Sequence, residues 1–174
     1  MATEDEHELT NQPELDQYFL NNSEKLEMLI NAAGIRPDDD VVEVGAGIGT
    51  VARHVPACHS LTVVERDPAL TPQLRRNVPH ARIIQGDALV LLPRLRCHVL
   101  LSSLPVRLTA PLAALLPALH FRTALMVTAP DAEFAALREY FTIDVVTALA
   151  ADDFRPARSD WSVLVRLDRT AVTR

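Results

Sequence analysis

Residues 41–50, VVEVGAGIGT, constrain the fold more than any other part of the sequence. A short, mainly apolar run there leads into three glycines at every second position, Gly45, Gly47 and Gly49. The run is typical of a strand covered on both faces, and the glycines predict a turn whose backbone N–H groups can closely approach a ligand. In an open parallel sheet the turn after the first strand is the usual ligand cradle, so we expect a ligand site here.

Apolar runs of the same kind recur along the chain and alternate with segments of helical length. The candidate parallel strands cover residues 41–44, 61–64, 82–84, 98–101 and 124–127. The candidate helices between and after them cover residues 50–55, 69–76, 110–119 and 131–140. Such alternation implies right-handed crossovers and a doubly wound, Rossmann-like α/β fold in three layers.

Both ends of the chain depart from this alternation. Residues 1–12 predict a polar tail ahead of a single domain over residues 13–174, and Ser23 and Gly34 are expected to cap an amphipathic helix. Residues 141–147 and 161–167 both predict strands, with only a proline-containing loop between them. Two strands without a crossover helix pair antiparallel, so we expect a seven-stranded, mostly parallel sheet with an antiparallel last strand.

The composition argues against several classes of protein. The 174 residues are 48% hydrophobic and 23% charged, which is typical of a folded globular domain. No apolar stretch approaches the roughly 20 residues of a membrane span, and the acidic start MATEDEHELT does not resemble a secretory signal, so we expect a cytoplasmic protein without a membrane partner. Two scattered cysteines predict neither a disulfide framework nor a metal site. The net charge of -6 disfavours a nucleic-acid partner.

Three acidic residues near the predicted strand ends indicate which ligand the glycine turn holds. Glu65 closes the second strand, where a carboxylate can accept hydrogen bonds from both hydroxyl groups of a ribose. Asp87 follows the third strand, in position to accept a hydrogen bond from the amino group of an adenine. Glu43, just before the glycines, suits the ammonium group of a methionine moiety and would repel a pyrophosphate. Together the acids favour S-adenosylmethionine over NAD, with a nicotinamide oxidoreductase as the alternative.

These motifs, in this order, resemble those of the rRNA adenine N6-dimethyltransferases, a family of class I methyltransferases. QYFL (residues 17–20) is similar to the family's Q-x-F-L motif, and EVGAGIG, the strand end at Glu65 and GDAL are similar to its next three cofactor motifs. The resemblance implies S-adenosylmethionine as the cofactor and S-adenosylhomocysteine as the product. The expected cofactor-binding residues are Gln17, Leu20, Glu43, Gly45, Gly47, Glu65, Arg66, Asp87, Ala88 and Ser103.

The predicted acceptor site departs from the family pattern. The family places N-L-P-Y after the fourth strand, where its asparagine side chain and proline carbonyl accept hydrogen bonds from the target amine and its tyrosine stacks on the base. This chain reads SLPV (residues 103–106), so the amine acceptor is shortened and about 1 to 3 kcal/mol of base stacking is forfeited. FRPARSDWSV (residues 154–163) is similar to the family's F-x-P-x-x-x-D-S-x-V segment and keeps a second aromatic wall. The expected acceptor-site residues are Ser103, Pro105, Val106 and Phe154.

The acceptor itself is the least constrained part of the prediction. The family also carries a lysine-rich segment after the fifth strand and a helical C-terminal domain that helps to grip RNA. This chain has VTAPDAEFAALREYF in the first place and ends at Arg174, so we expect a divergent member that lacks that domain. With the acidic charge, these departures favour a small-molecule acceptor, methylated on N, O or C. An rRNA adenine methyltransferase and a cofactor-binding protein without methylation activity are the alternatives, and a homodimer is compatible with either.

Overall fold

Between residues 17 and 170, which the computed structural model describes, the chain forms nine strands in two sheets. The strands are β1 (Phe19–Leu20), β2 (Asp40–Val44), β3 (Ser60–Glu65), β4 (Arg82–Gln85), β5 (Val99–Ser102), β6 (Thr123–Thr128), β7 (Phe141–Leu149), β8 (Phe154–Arg155) and β9 (Ser162–Arg169). β1 and β8 pair antiparallel in a small separate sheet. The main sheet has the order β4-β3-β2-β5-β6-β9-β7.

The main sheet confirms the strand pattern predicted from the apolar runs. β4, β3, β2, β5 and β6 are parallel to one another, whereas β9 is antiparallel to both β6 and β7. After β2 the chain first adds β3 and β4 on one side and then β5 and β6 on the other. Where the direction of strand addition reverses in this way, a crevice opens beyond the carboxyl ends of the strands. The glycine turn follows β2 directly and therefore lies at this crevice.

Helices cover both faces of the sheet. The α-helices of the described chain are α1 (Ser23–Ala33), α2 (Thr71–Asn77), α3 (Ala88–Leu91) and α4 (Thr109–Leu115), and its 3-10 segments are Ala52–His54, Leu92–Arg94, Val106–Leu108, Leu116–Ala118, Ala135–Glu139 and Ala151–Asp153. Within residues 17–170 there is no helix with the length and apolar character that crossing a membrane requires.

Alternate residues of the buried strands supply two hydrophobic cores, one on each face of the sheet. In β2, Val41 joins the core that also contains residues of α1 and α2, whereas Val42 and Val44 join the core that contains residues of α3 and α4. Burial on both faces explains why the parallel strands read as continuous apolar runs. The result is the three-layer α/β/α arrangement that the alternation of elements predicts.

The limits of α1 are predicted correctly at one end only. Gly34 ends the helix in the left-handed conformation, with a φ of +56°, as expected. The N-terminal cap of α1 is Asn22 and not Ser23, because the Asn22 side chain accepts hydrogen bonds from the backbone N–H groups of Glu24 and Lys25. Residues 1–12, the predicted polar tail, lie outside the described residues.

Two predicted helices are wrong in type. Residues 50–55 and 131–140 contain only the 3-10 segments Ala52–His54 and Ala135–Glu139. The first follows directly on the glycine turn and precedes Pro56, which leaves too few residues for a stable α-helix. In the second, the 3-10 segment Ala135–Glu139 buries Leu137 and leaves its other four residues exposed, so it lacks the apolar face of an amphipathic helix.

Asp153 connects the small sheet to the start of α1. Its Oδ1 accepts a hydrogen bond from Asn22 Nδ2 at 2.6 Å, and its Oδ2 accepts one from the Ala150 backbone N–H at 2.7 Å. Its carbonyl oxygen accepts hydrogen bonds from the backbone N–H groups of Asn21 and Asn22. Because Asp153 is only 5% exposed, water cannot readily replace these partners. Asp153 therefore fixes the position of β1 and β8 beside the crevice.

Replacement of Asp153 by alanine should destabilise the protein by about 1 to 3 kcal/mol, because two donors lose their partner in a buried position. Urea denaturation measures the change in the free energy of unfolding. The adjacent Asp152 is exposed and supplies a control with the same change in charge. Asp152→Ala should alter that free energy by less than about 0.5 kcal/mol, and similar losses in the two variants would contradict the role of Asp153.

Candidate cofactor and acceptor site

The glycine turn adopts backbone angles that glycine tolerates best. Gly45 and Gly47 have φ of +72° and +56°. A Cβ atom on Gly47 would lie 2.3 Å from the ring of Phe19, and one on Gly45 would lie 3.0 Å from the backbone nitrogen of Leu104. Conformation and close contact therefore both require glycine, since any side chain would push the turn away from its neighbours.

Glu65 ends β3 and connects the glycine turn to the next loop. Its Oε2 accepts a hydrogen bond from the Gly47 N–H at 2.7 Å, and its Oε1 accepts one from the Asp67 N–H at 2.8 Å. The residue is 8% exposed. Carboxylate oxygens have two lone pairs each, so both can accept a further hydrogen bond from a ligand hydroxyl group. Glu65 can thus hold the turn and a diol at the same time.

Gln17 reaches the same corner of the crevice. Its Nε2 donates a hydrogen bond to Asp67 Oδ2 at 2.9 Å, and Asp67 Oδ1 accepts one from the Ala69 N–H. The Oε1 of Gln17 is buried and has no hydrogen-bond partner. A buried, unsatisfied acceptor costs free energy, so this oxygen is a candidate contact for a ligand donor. Asp67 was not predicted, because an acid two residues after a strand end carries no distinctive spacing.

Glu43 lies fully buried in β2 at the base of the crevice. Its Oε1 accepts a long hydrogen bond, 3.4 Å, from the Ser103 hydroxyl, and its Oε2 has no partner. Burial raises the pKa of Glu43 to about 8; the hydrogen bond from Ser103 opposes the shift, and the charge of Glu65 adds to it. A cationic ligand group would satisfy Oε2 and favour the ionised carboxylate.

Asp87 follows β4 and is the exposed acid of the crevice. Its Oδ1 accepts a hydrogen bond from the Leu89 N–H at 2.9 Å and thereby caps α3. The other oxygen, Oδ2, has lone pairs for the N–H of a ligand. The short helix α3 was not predicted, although Asp87 is a favourable residue for its first cap.

The crevice encloses a cavity of about 460 Å³ that brings the predicted residues together. Those that line it are Gln17, Leu20, Glu43, Gly45, Gly47, Glu65, Arg66, Asp87, Ala88, Ser103, Pro105 and Phe154. Val106 is the exception, because the chain turns there into the 3-10 segment Val106–Leu108, and Arg107 and Leu108 line the cavity instead. Tyr18, Thr50, Asp67 and Arg158 also line the cavity and were not predicted.

The groups expected to contact the methyl acceptor already make some hydrogen bonds within the protein. The Ser103 hydroxyl donates its hydrogen to Glu43, so its oxygen can still accept. The Pro105 carbonyl accepts a hydrogen bond from the Leu108 N–H at 2.8 Å and has a second lone pair. Phe154 is 3% exposed, and the guanidinium carbon of Arg158 lies 5.3 Å from the centre of its ring.

Within residues 17–170, no cluster of three or more His, Cys, Asp or Glu could hold a metal ion.

The residues of this crevice suit a nucleoside that carries a positive charge. A turn with glycine at every second position, a carboxylate open to a diol and a buried carboxyl oxygen without a partner are the observations that fit such a ligand. Together with the sheet order, they define the class I methyltransferase fold. A solved structure of a dimethyladenosine transferase from Plasmodium falciparum has this fold, with a TM-score of 0.81 and 19% sequence identity; the match covers 87% of this chain and 63% of that one.

The chain belongs to the ribosomal RNA adenine dimethylase family, whose model matches residues 8–111. A ribosomal RNA small subunit methyltransferase A from Chlorobium chlorochromatii is 40% identical over 78 residues, which are 44% of this chain and 30% of the relative. Its namesake from Pelotomaculum thermopropionicum is 34% identical over 147 residues, which cover 74% of this chain and 50% of the relative. The chain therefore aligns with half or less of the length of these curated relatives.

Gly47→Ala should cost more stability than Gly34→Ala, although both glycines have a φ of +56°. Nothing lies within 4 Å of a Cβ atom at Gly34, whereas one at Gly47 meets the ring of Phe19. We expect a loss of about 1 kcal/mol from backbone strain at both positions and a further 1 to 3 kcal/mol, roughly, from the collision at Gly47. Urea denaturation measures the free energy of unfolding of both variants. Equal losses would mean that the Phe19 ring moves aside without a loss of stability.

Glu43→Gln should change how stability depends on pH. Because burial raises the pKa of Glu43 to about 8, the native protein is penalised relative to the unfolded chain as pH rises from the ordinary range of a glutamate towards 8. Glutamine has no such penalty, so the variant should match the wild type near pH 4 and exceed it by about 4 kcal/mol near pH 8. Thermal and urea unfolding across this pH range measure the difference. A constant difference between the two proteins would show that the pKa of Glu43 is ordinary.

Proposed function

We propose that this chain is an S-adenosylmethionine-dependent methyltransferase. The observation that carries the proposal is the placement of three carboxyl groups around the glycine turn, where Glu43, Glu65 and Asp87 belong to three adjacent parallel strands or the residues that follow them. The family to which the chain belongs supports the same cofactor.

Each carboxyl group suits one polar part of this cofactor. The unpaired oxygen of Glu43 suits the ammonium group of the methionine part, and its ionised form would repel the pyrophosphate of NAD. Glu65 suits the ribose hydroxyl groups, and Asp87 suits the amino group of adenine. The other residues proposed for this half of the site are Gln17, Leu20, Gly45, Gly47, Arg66, Ala88 and Ser103.

Acid–base catalysis has a small part in the proposed reaction. The sulfonium of the bound cofactor supplies a methyl group that is already activated, so positioning the acceptor in line accounts for most of the rate increase. The Ser103 oxygen and the Pro105 carbonyl can each accept a hydrogen bond from an acceptor amine and so orient its lone pair. Phe154 gives the acceptor an aromatic wall.

Ribosomal RNA is the acceptor that the family relationship supports. The family is described by its action on ribosomal RNA adenine, and the aligned relatives from Chlorobium chlorochromatii and Pelotomaculum thermopropionicum are named ribosomal RNA methyltransferases. The Pro105 carbonyl and Phe154 are the acceptor-side groups of this chain that agree with a base as the target.

A small-molecule acceptor is the second candidate, and it is supported by the acceptor side of the cavity. Ser103, which lines the cavity, offers a shorter hydrogen-bond acceptor than asparagine. Val106 does not line the cavity and in any case has no aromatic ring for stacking on a base. The net charge of -6 also weakens attraction to a polyanion.

Calorimetric titration with S-adenosylhomocysteine tests the cofactor part of the proposal through Asp87. We expect Asp87→Ala and Asp87→Asn to weaken binding by about tenfold or more, because a hydrogen bond to a charged group is lost. Asp87→Asn keeps an oxygen that can cap α3, whereas Asp87→Ala also loses the cap and about 1 kcal/mol of stability. Failure of the wild type to bind S-adenosylhomocysteine, or tighter binding of NAD, would reject the proposal.

Transfer of a labelled methyl group from S-adenosylmethionine then separates the two acceptors. One arm supplies purified ribosomal RNA, and the other supplies RNase-treated metabolites of low molecular mass. Label in the RNA supports the first acceptor, and label in the metabolites supports the second. Tight cofactor binding without label in either arm would favour a cofactor-binding protein that does not methylate.

A further inference from the structure

Arg158 lines the cavity next to Phe154, on the loop between β8 and β9. Its guanidinium carbon lies 5.0 Å from the centre of the Tyr18 ring and 5.3 Å from the centre of the Phe154 ring. Its backbone N–H donates a hydrogen bond to the Ala151 carbonyl at 3.0 Å, which ties the loop to the preceding 3-10 segment. Two aromatic rings within about 6 Å attract a guanidinium by cation–π interaction, so this cation has a defined position at the cavity wall.

The Arg158 guanidinium has contacts with rings but no polar partner within residues 17–170. Its Nε is buried and makes no hydrogen bond, and no carboxylate of the described chain forms an ion pair with it. A guanidinium carries five N–H donors and is always charged in proteins, so a buried donor without an acceptor costs free energy. The faces of aromatic rings do not supply oxygen acceptors, so the Nε–H group of Arg158 still lacks a hydrogen-bond acceptor.

The charges along the cavity show what kind of ligand group would meet that need. The carboxyl groups of Glu43, Glu65, Asp67 and Asp87 line the proposed cofactor half. Arg158 lies beside Phe154, the aromatic wall of the acceptor half. An anionic group on the acceptor would be attracted to Arg158 and repelled by the ionised carboxylates of the cofactor half, which orients the acceptor relative to the cofactor.

We propose that Arg158 binds an anionic oxygen group of the methyl acceptor, either a phosphate or a carboxylate. The inference rests on the proposed methyltransferase function and adds a substrate class to it. A planar guanidinium held against two rings is preorganised to donate two parallel N–H bonds to such a group. The phosphate of an RNA strand, the phosphate of a free nucleotide and the carboxylate of a metabolite share this chemistry.

Pairs of probes that differ in charge test the proposal on protein saturated with S-adenosylhomocysteine. Adenosine 5′-monophosphate is compared with adenosine, and benzoate with benzamide, by competition or calorimetry. We expect the anionic member of at least one pair to bind the wild type about tenfold tighter or more. A ten-nucleotide single-stranded RNA is the third arm. Preference for the RNA over the mononucleotide identifies a polynucleotide phosphate as the source, and preference for benzoate identifies a carboxylate.

Two variants of Arg158 and one control assign the effect to this residue. Arg158→Gln should reduce the charge-dependent preference to about one, and Arg158→Lys should keep part of it, because the ammonium retains the charge but not the planar pair of donors. Arg155→Gln is the matched control, since Arg155 is exposed on β8, does not line the cavity and changes the net charge equally. It should leave the preference unchanged.

The outcomes separate this inference from the proposed function. If S-adenosylhomocysteine binds the wild type and Arg158→Gln alike, while anionic and neutral probes bind the wild type equally, the role of Arg158 is rejected and the cofactor proposal stands. An equal loss of preference in Arg155→Gln and Arg158→Gln would also reject it, because net charge would then explain the effect. If S-adenosylhomocysteine does not bind, the cofactor proposal fails, and the same probe pairs measured without it decide whether Arg158 binds anions.

Discussion

The hydrogen bonds of the Glu65 carboxylate hold the site together. One oxygen accepts from the Gly47 N–H and the other from the Asp67 N–H, and Asp67 in turn accepts from Gln17. A single side chain thus sets the distance between the glycine turn, the loop after β3 and the segment before β1. The neighbouring parts of the site follow from that spacing, since the ring of Phe19 fits against Gly47 only because glycine has no side chain. Rigid spacing of this kind is what a site for one particular ligand requires.

The main sheet is the most predictable part of the fold because its signal is redundant. Strands buried on both faces must be apolar throughout, and each run is bounded by turn residues. Elements held mainly by tertiary contacts give no such signal. β1 and β8 are too short to show a period, α3 is a single apolar turn, and the cap of α1 falls on Asn22, whose side chain also bonds to Asp153. Ser23 is an equally good cap by composition, so local preference alone cannot choose between the two.

The candidate site, like the fold, has a part that can be predicted from the sequence and a part that cannot. Residues next to the ends of parallel strands are predictable, because the topology brings those ends to one edge of the sheet. Glu43, Glu65 and Asp87 are found there as expected. Arg158 is not predictable, because it reaches the cavity through a loop that returns from the far end of the chain and meets Tyr18. The resemblance to the N-L-P-Y motif predicts Val106 in the acceptor site, whereas the 3-10 segment that begins at Val106 brings Arg107 and Leu108 to the cavity.

The small sheet of β1 and β8 has a consequence for the order in which the crevice is assembled. Its two residue pairs, Phe19 with Arg155 and Leu20 with Phe154, join positions separated by most of the domain. Closing so long a loop costs conformational entropy, which the hydrogen bonds that Asp153 accepts from Asn21, Asn22 and Ala150 help to offset. Because the ribosome makes the chain from its N-terminus, Glu43 and Glu65 are synthesised well before Phe154, and the small sheet can pair only after residue 155 has been made.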